Sequence, residues 1–378
     1  MKKILFVIQT LGGGGAEKVL INLLDNINYN KYKVDVLVVS DEGVYKNKIN
    51  PNVEKIAIFK GTDNIKNGIH RNIYKIYRRI YMKLIQKKPS IARKFIKDKE
   101  YDIEVSFLEG LGAVIVAGGN CNKKIGWIHT DLSKYDSIIS KAELEKSYDK
   151  MDKIIFVSEE SKKGFLKTFE KFKNRDELLE VIYNPIDEDE IKRKSKEHLD
   201  YEKEDITLIA VGRLIKSKRI DRLVRIHKLL LDNGIKNEFV ILGEGQEKKQ
   251  LESLIRELNV SDTFKLVGFT DNPYKWINMA DIYVMSSEYE GLPLVIAEAM
   301  TLNKPIVSTS VTGPNEMLHF GKYGLLVKND DEDLYNGIKK MILDEKLRNE
   351  YAETLKCKKS EFDKNEIISK IEYMLDNL

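Results

Sequence analysis

Two glutamates, Glu290 and Glu298, stand with seven residues between them in "EYEGLPLVIAEAM", either side of a Gly-Leu-Pro turn and an apolar run. Such a pair suits three kinds of chemistry: the acid and base of a hydrolase, two ligands of a metal, or a clamp for a hydroxyl-rich ligand. Pro293 fits the first position of a helix through "LVIAEAM", where its missing N–H costs nothing. The amides of Gly291 and Leu292 then lie at the positive helix end and suit a hydroxyl-bearing or anionic group. A solvated pair of acids is the plain alternative. It fits Glu298 poorly, because an unpaired charge among apolar neighbours is costly, so Glu298 is expected to accept hydrogen bonds from a bound partner.

Two further stretches carry charge or backbone suited to a ligand. In "AVGRLIKSKRIDRLV" (210–224), Gly212 permits a turn, and Arg213 and Lys218 follow the end of a strand. Arg as a planar fork and Lys as a point charge can hold a diphosphate, although basic residues after strands are common. In "QTLGGGGAEKVLINLL" (9–24), four glycines separate a strand from a helix. Such a run lets backbone approach a ligand and aims helix-end amides at an anion. A plain tight turn needs fewer glycines. The run fails the dinucleotide fingerprint, because Glu17 stands where a glycine is required, and Lys18 has the wrong spacing for a P-loop.

These residues need a frame to hold them. Apolar β-branched runs recur at 4–8, 34–40, 53–59, 102–108, 124–129, 153–158 and 180–184, and again at 206–212, 238–243, 264–268, 282–287, 305–310 and 324–327. They are apolar throughout, as strands covered on both faces must be. Helical patterns such as 248–258 and 333–343 fill the gaps, so right-handed βαβ units and parallel sheets follow. Residues 188–204 are almost wholly polar and read as a linker. The expected fold class is α/β: two doubly wound Rossmann-like domains, 1–187 and 205–360, facing across a cleft, with 361–378 packing back on the first. Ligands of such sheets sit at the carboxyl ends of the strands.

Composition narrows the partners. At 378 residues, with 42% hydrophobic and 33% charged residues, the chain exceeds one ordinary core. No apolar run approaches the ~20 residues of a membrane span. The start "MKKILFVIQT" reads as a strand rather than an export signal. Cys121 and Cys357 match no metal spacing, and the five histidines form no HxH or HExxH pattern. A reducing cytoplasm and a metal-free site are therefore expected. Net charge is only +4, yet residues 71–97 hold ten Lys or Arg and no acid. Within them Ile73, Ile76, Tyr77, Ile80 and Leu84 recur at helical spacing, with Arg71, Lys75, Arg79 and Lys83 on another side. A basic amphipathic helix suits an anionic membrane surface; the bland alternative packs its apolar side on its own domain. Nucleic acid fits less well, because the rest of the chain is not basic.

Taken in order, the motifs resemble the retaining glycosyltransferases of family four, which have the GT-B fold. Glu290-x7-Glu298 with Gly-Leu-Pro between carries the likeness. With it stand "GGGGAEKVLINL" (12–23), "WIHTD" (127–131), "VSEES" (157–161), "VIYNPID" (181–187), "VGRLIKSK" (211–218), "LGEGQEKKQLESLI" (242–255), "GPNE" (313–316) and "GKYGLLV" (321–327). The likeness runs nearly end to end and is loosest over 41–125.

The resemblance implies roles residue by residue. Glu298 accepts hydrogen bonds from the ribose hydroxyls of the donor nucleotide. Glu290 lies by the donor sugar with the amides of Gly291 and Leu292. Arg213 and Lys218 neutralise the diphosphate, so no metal or other cofactor is needed. Gly14 and Gly15 approach the phosphates, and His129 contacts the sugar near the reacting carbon. The implied activity moves a sugar, expected to be UDP-linked, to a lipid-linked or glycan acceptor of a bacterial surface polysaccharide, at the inner face of the plasma membrane. A glycosidase explains neither the cations nor the glycine loop. A sugar-nucleotide epimerase of similar fold and a non-catalytic nucleotide-sugar-binding module are the alternatives. Release of nucleotide only with acceptor present separates a transferase from both.

Overall fold

The computed structural model describes residues 1–62, 65, 68–96, 99–133, 139–203, 205–358 and 361–378. Lys97, Glu204, Lys359 and Ser360 of the segments above lie outside the described residues. The chain divides into two compact units, Met1–Pro185 with Asn365–Leu378, and Ile186–Lys364.

The first unit runs β1 (Lys2–Ile8), α1 (Gly15–Asn26), β2 (Tyr32–Asp41), β3 (Glu54–Lys60), α2 (Gly68–Lys87), α3 (Ser90–Arg93), β4 (Ile103–Ser106), α4 (Leu111–Ala117), β5 (Lys123–Ile128), α5 (Lys141–Tyr148), β6 (Lys153–Phe156), α6 (Glu159–Thr168) and β7 (Leu179–Val181). Its sheet is parallel throughout, in the order β3-β2-β1-β4-β5-β6-β7. Ile4 to Ile8 are wholly buried, because helices cover both faces of a parallel sheet. Order reverses between β1 and β4, which opens a crevice at their carboxyl ends.

The second unit runs α7 (Glu188–Lys194), β8 (Thr207–Val211), α8 (Ile220–Asp232), β9 (Glu238–Leu242), α9 (Lys248–Glu257), β10 (Phe264–Gly268), α10 (Tyr274–Met279), β11 (Ile282–Met285), α11 (Leu294–Thr301), β12 (Ile306–Thr309), α12 (Thr312–Met317), β13 (Leu325–Val327), α13 (Asp331–Leu343) and α14 (Glu345–Lys356). Its parallel sheet is ordered β10-β9-β8-β11-β12-β13, so the reversal falls between β8 and β11. Leu223, Val224, Ile226 and Leu230 of α8 are buried against it. Each of the thirteen apolar runs forms a strand.

Three local features differ from, or refine, the sequence reading. The span expected as a linker opens with α7, where Asp187 caps the helix by accepting from the Glu190 amide at 2.9 Å. Ile191 of α7 is buried, and the Asn272 side chain donates to the Lys194 carbonyl at 2.9 Å. A single apolar residue was enough to seat a helix that composition alone reads as solvated. The basic stretch is likewise not one helix: α2 ends at Lys87, and after Pro89 the short α3 follows. Its Arg93 forms a fork with buried Glu104, at 2.7 and 2.6 Å. Finally, α15 (Lys364–Asp376) belongs to the first unit, where Ile371 and Leu375 are buried and Tyr32 Oη donates to Asp376 Oδ1 at 2.5 Å.

Candidate active site

In the second unit, the loops after β8 and β11 flank the point where strand order reverses. They are tied together by polar contacts. Ser286 Oγ donates to the Lys218 carbonyl at 2.8 Å, and the Glu288 amide donates to the Ser217 carbonyl at 2.8 Å. Lys218 Nζ donates to Glu290 Oε1, which also accepts from Ser287 Oγ at 2.6 Å. The Lys218 stem lies over Gly212, and a small pocket is lined by Gly212, Lys218, Tyr283, Ser286 and Ser287. Lys218 and Glu290 are 72 residues apart in sequence, and each neutralises the other. Arg213 is exposed and has no ion-pair partner among the described residues.

Glu298 lies on α11 with only 2% of its surface exposed. Its neighbour is Tyr283 of β11. Burial pushes the Tyr283 hydroxyl well above its usual range, and the charges of Glu298 and then Glu290 push it further. Both glutamates therefore act on one buried phenol. Tyr283 escaped the sequence reading because, inside the apolar run 282–287, it looks like core.

Pro293 does not occupy the first helical position. It is the N-cap of α11, with ψ 105°, and the helix begins at Leu294. The Gly-Leu-Pro turn stays extended one residue longer than expected, which leaves Gly291 and Leu292 on a buried loop. That loop packs on Gly313: any side chain there would collide with the Gly291 carbonyl and the Pro293 ring.

The first unit presents a different surface at the ends of β1, β4 and β5. Gly14 caps α1 in extended conformation, and Gly15 is the first, exposed residue of that helix. None of Gly12 to Gly15 has positive φ, so the run is not there for left-handed backbone. Its missing side chains leave room for Glu17, whose carboxylate lies against Gly12 and Gly14. A glutamate at the third helical position reaches back to the cap in this way. A phosphate coming to Gly14 would meet that carboxylate first.

His129 follows β5. Its amide donates to Glu109 Oε2 at 3.0 Å, and its ring packs on Phe107 (centroids 5.0 Å) and stacks with Trp127 (6.2 Å, 23°). His129 Nε2 is shielded from solvent, with no hydrogen-bond partner among the described residues. Burial pushes the imidazole down to about 3, so it is neutral near pH 7. Glu109 was not singled out from sequence; the available signal was its place after a strand and before Gly110.

Helix α2 presents a third feature. Ile69, Ile73, Ile76, Tyr77, Ile80 and Leu84 are all exposed, by 46 to 71%. The opposite side anchors the helix: Ile85 is fully buried, Tyr81 and Met82 pack on the core, and Tyr81 meets Phe59 edge-on at 5.4 Å. The bland expectation, an apolar side packed on its own domain, therefore fails for Ile73, Ile76, Ile80 and Leu84. Exposed Lys75, Arg79 and Lys83 run alongside. Among the described residues, no helix is long and apolar enough to cross a membrane.

Two Rossmann-like units, each with its loops at the strand reversal, define a class of protein that takes its ligands at the carboxyl ends of the strands. Residues 190–356 match the family of glycosyl transferases group 1. The chain is similar to a Campylobacter jejuni N-acetylgalactosamine-N,N'-diacetylbacillosaminyl-diphospho-undecaprenol 4-alpha-N-acetylgalactosaminyltransferase, 28% identical over 97% of each chain. It also resembles, at 30% identity over 61% of this chain and 64% of the relative, an uncharacterized glycosyltransferase of Methanocaldococcus jannaschii. Among solved structures, Anabaena HepE in complex with UDP and glucose shares the fold over 100% of both chains, with a TM-score of 0.76 and 21% identity. The chain is a glycosyltransferase of GT-B fold, and its second unit carries a glycosyl transferases group 1 domain.

Proposed function

We propose that the protein is a retaining, metal-independent glycosyltransferase of family-four type. It moves a sugar from a UDP-sugar to a lipid-linked acceptor during assembly of a bacterial surface glycan. The observation that carries this reading is the cluster at the β8/β11 reversal, where Lys218, Glu290 and Ser287 are bonded together, Arg213 is exposed and Glu298 is buried. Relatives whose names give an undecaprenol diphosphate acceptor support the acceptor class, and neighbours in complex with UDP support the nucleotide.

In this reading Glu298 accepts hydrogen bonds from the ribose hydroxyls, and Arg213 and Lys218 face the diphosphate. An incoming diphosphate competes with Glu290 for Lys218. Once released, Glu290 accepts from hydroxyls of the donor sugar, beside the amides of Gly291 and Leu292. The bond between the anomeric carbon and the phosphate oxygen breaks with its electron pair going to that oxygen. Two cations already in place for the growing charge need no reorganisation, which makes such electrostatic stabilisation effective. The acceptor hydroxyl attacks from the leaving-group side and gives its proton to the departing phosphate oxygen, so configuration is retained. Gly15 is the part of the glycine loop open to a phosphate, Gly14 joining it only once Glu17 moves, and His129 serves as a neutral contact for the sugar.

The exposed stripe of α2 would dock the protein on anionic lipid, with isoleucines entering the interface and Lys75, Arg79 and Lys83 facing headgroup phosphates. Equal binding to neutral and anionic vesicles would remove this part of the reading.

A melting-temperature panel of UDP-, GDP-, ADP- and CMP-sugars, with and without Mg²⁺, tests the core of the proposal. A ligand at ~100 times its dissociation constant adds roughly 2.7 kcal/mol. UDP-sugars should stabilise the wild type without metal, and Glu298→Ala should clearly reduce the shift. Stabilisation only with Mg²⁺, or by another nucleotide alone, would overturn the metal-free UDP reading. Conversion of the nucleotide-sugar to its epimer, with no acceptor present, would favour an epimerase.

A further inference from the structure

Glu109 is a carboxylate that the reaction above does not use, and it is 9% exposed. It sits between β4 and α4, on a turn closed by Gly110, whose φ of 99° and ψ of −133° exclude a side chain without strain. The turn folds Glu109 back across the sheet end, where Oε2 receives the His129 amide at 3.0 Å. His129 is the first residue past β5, so no strand bond beyond Ile128 holds it. The ring has packing partners, Phe107 and Trp127, and its Nε2 has no hydrogen-bond partner among the described residues.

A backbone anchor is then what fixes the direction of the imidazole. We infer that Glu109 is a positioning residue: by binding the His129 amide it holds the ring against Phe107 and Trp127. Its functional meaning rests on reading His129 as a sugar contact. Burial, and then the charge of Glu17, push the Glu109 carboxyl upward, while the His129 amide draws it down. The charged or titratable groups acting on this corner are thus Glu17 of α1, Glu109 and His129 itself. An uncharged acceptor serves the purpose as well as a carboxylate, which distinguishes a positioning role from a need for charge.

The test is histidine NMR on the full chain, with His129→Ala assigning the resonance among five histidines. In the wild type His129 should stay neutral down to pH 5. In Glu109→Ala the ring should loosen toward water, and its midpoint should rise from about 3 toward the ordinary 6.5. Glu109→Gln, whose amide oxygen still accepts the N–H, should keep the wild-type behaviour. It also serves as the folded control if the alanine variant melts early. A ring that stays neutral in Glu109→Ala, or one that titrates equally in the glutamine variant, overturns the proposal. The melting-temperature shift given by UDP-sugars separates the two ideas: an unchanged shift in His129→Ala with a displaced midpoint in Glu109→Ala removes the sugar-contact reading and leaves the positioning intact.

Discussion

The two strand-reversal regions use the same topology for opposite electrostatics. The second unit gathers Lys218, Glu290 and Ser287 within hydrogen-bond reach and leaves Arg213 exposed. The first unit lines its reversal with Phe107, Trp127 and a neutral His129, and fills the glycine loop with Glu17. One corner suits a ligand that carries and gains charge; the other suits neutral hydroxyls. A pair of histidines makes the contrast sharper. His227 in the second unit is buried with both ring nitrogens engaged, by Asn237 and Thr263 at 2.8 Å each. His129 keeps one nitrogen without a partner among the described residues. The two buried rings thus differ in how fully their polar atoms are engaged within the fold.

The contrast can be broken by experiment. The largest effect is expected at Lys218. Lys218→Ala should lower turnover by about 10²–10³, the scale of losing one preorganised group at the developing charge. A loss below tenfold would mean that the second corner does not work through charge. Changing Lys75, Arg79 and Lys83 together to Gln should weaken binding to anionic vesicles by about 3 kcal/mol, roughly 1 kcal/mol per cation, with turnover of a soluble acceptor unchanged. Sedimentation with vesicles of both charge types reads this, and an unaltered affinity would leave these cations without a headgroup role.

Glu298→Ala should cost about 1.5–3 kcal/mol of nucleotide affinity, the range for hydrogen bonds to a charged group, measured by calorimetry with UDP. Unchanged UDP binding would assign the buried glutamate to Tyr283 and packing alone. The smallest effect is a pH slope. Burial holds His129 near 3 and His227 near 4 in the folded protein, against 6.5 ordinarily. Between those values the unfolded chain binds protons that the native one does not, so stability falls as pH drops below 6.5. His129→Asn should flatten the decline of melting temperature between pH 7 and 5, and an identical slope would show that its ring is not desolvated.

Much of this protein follows from the chain taken locally. Apolar runs covered on both faces specify parallel strands wherever they occur, which is why every run from 4–8 to 324–327 became one. Residue type and spacing were also enough to single out Arg213, Lys218, Glu290 and Glu298, because charge beside strand ends and inside apolar runs stands out. Tertiary structure decided what local pattern cannot carry. Lys218 meets Glu290 only because β8 and β11 are neighbours in the sheet. Tyr283 and Glu109 look ordinary in sequence, and gain meaning from burial beside groups on other elements of the fold. The isoleucines of α2 have helical spacing in any reading. Whether they face core or water depends on which side Tyr81, Met82 and Ile85 take, and that is settled by competition for one sheet face, which no single segment records.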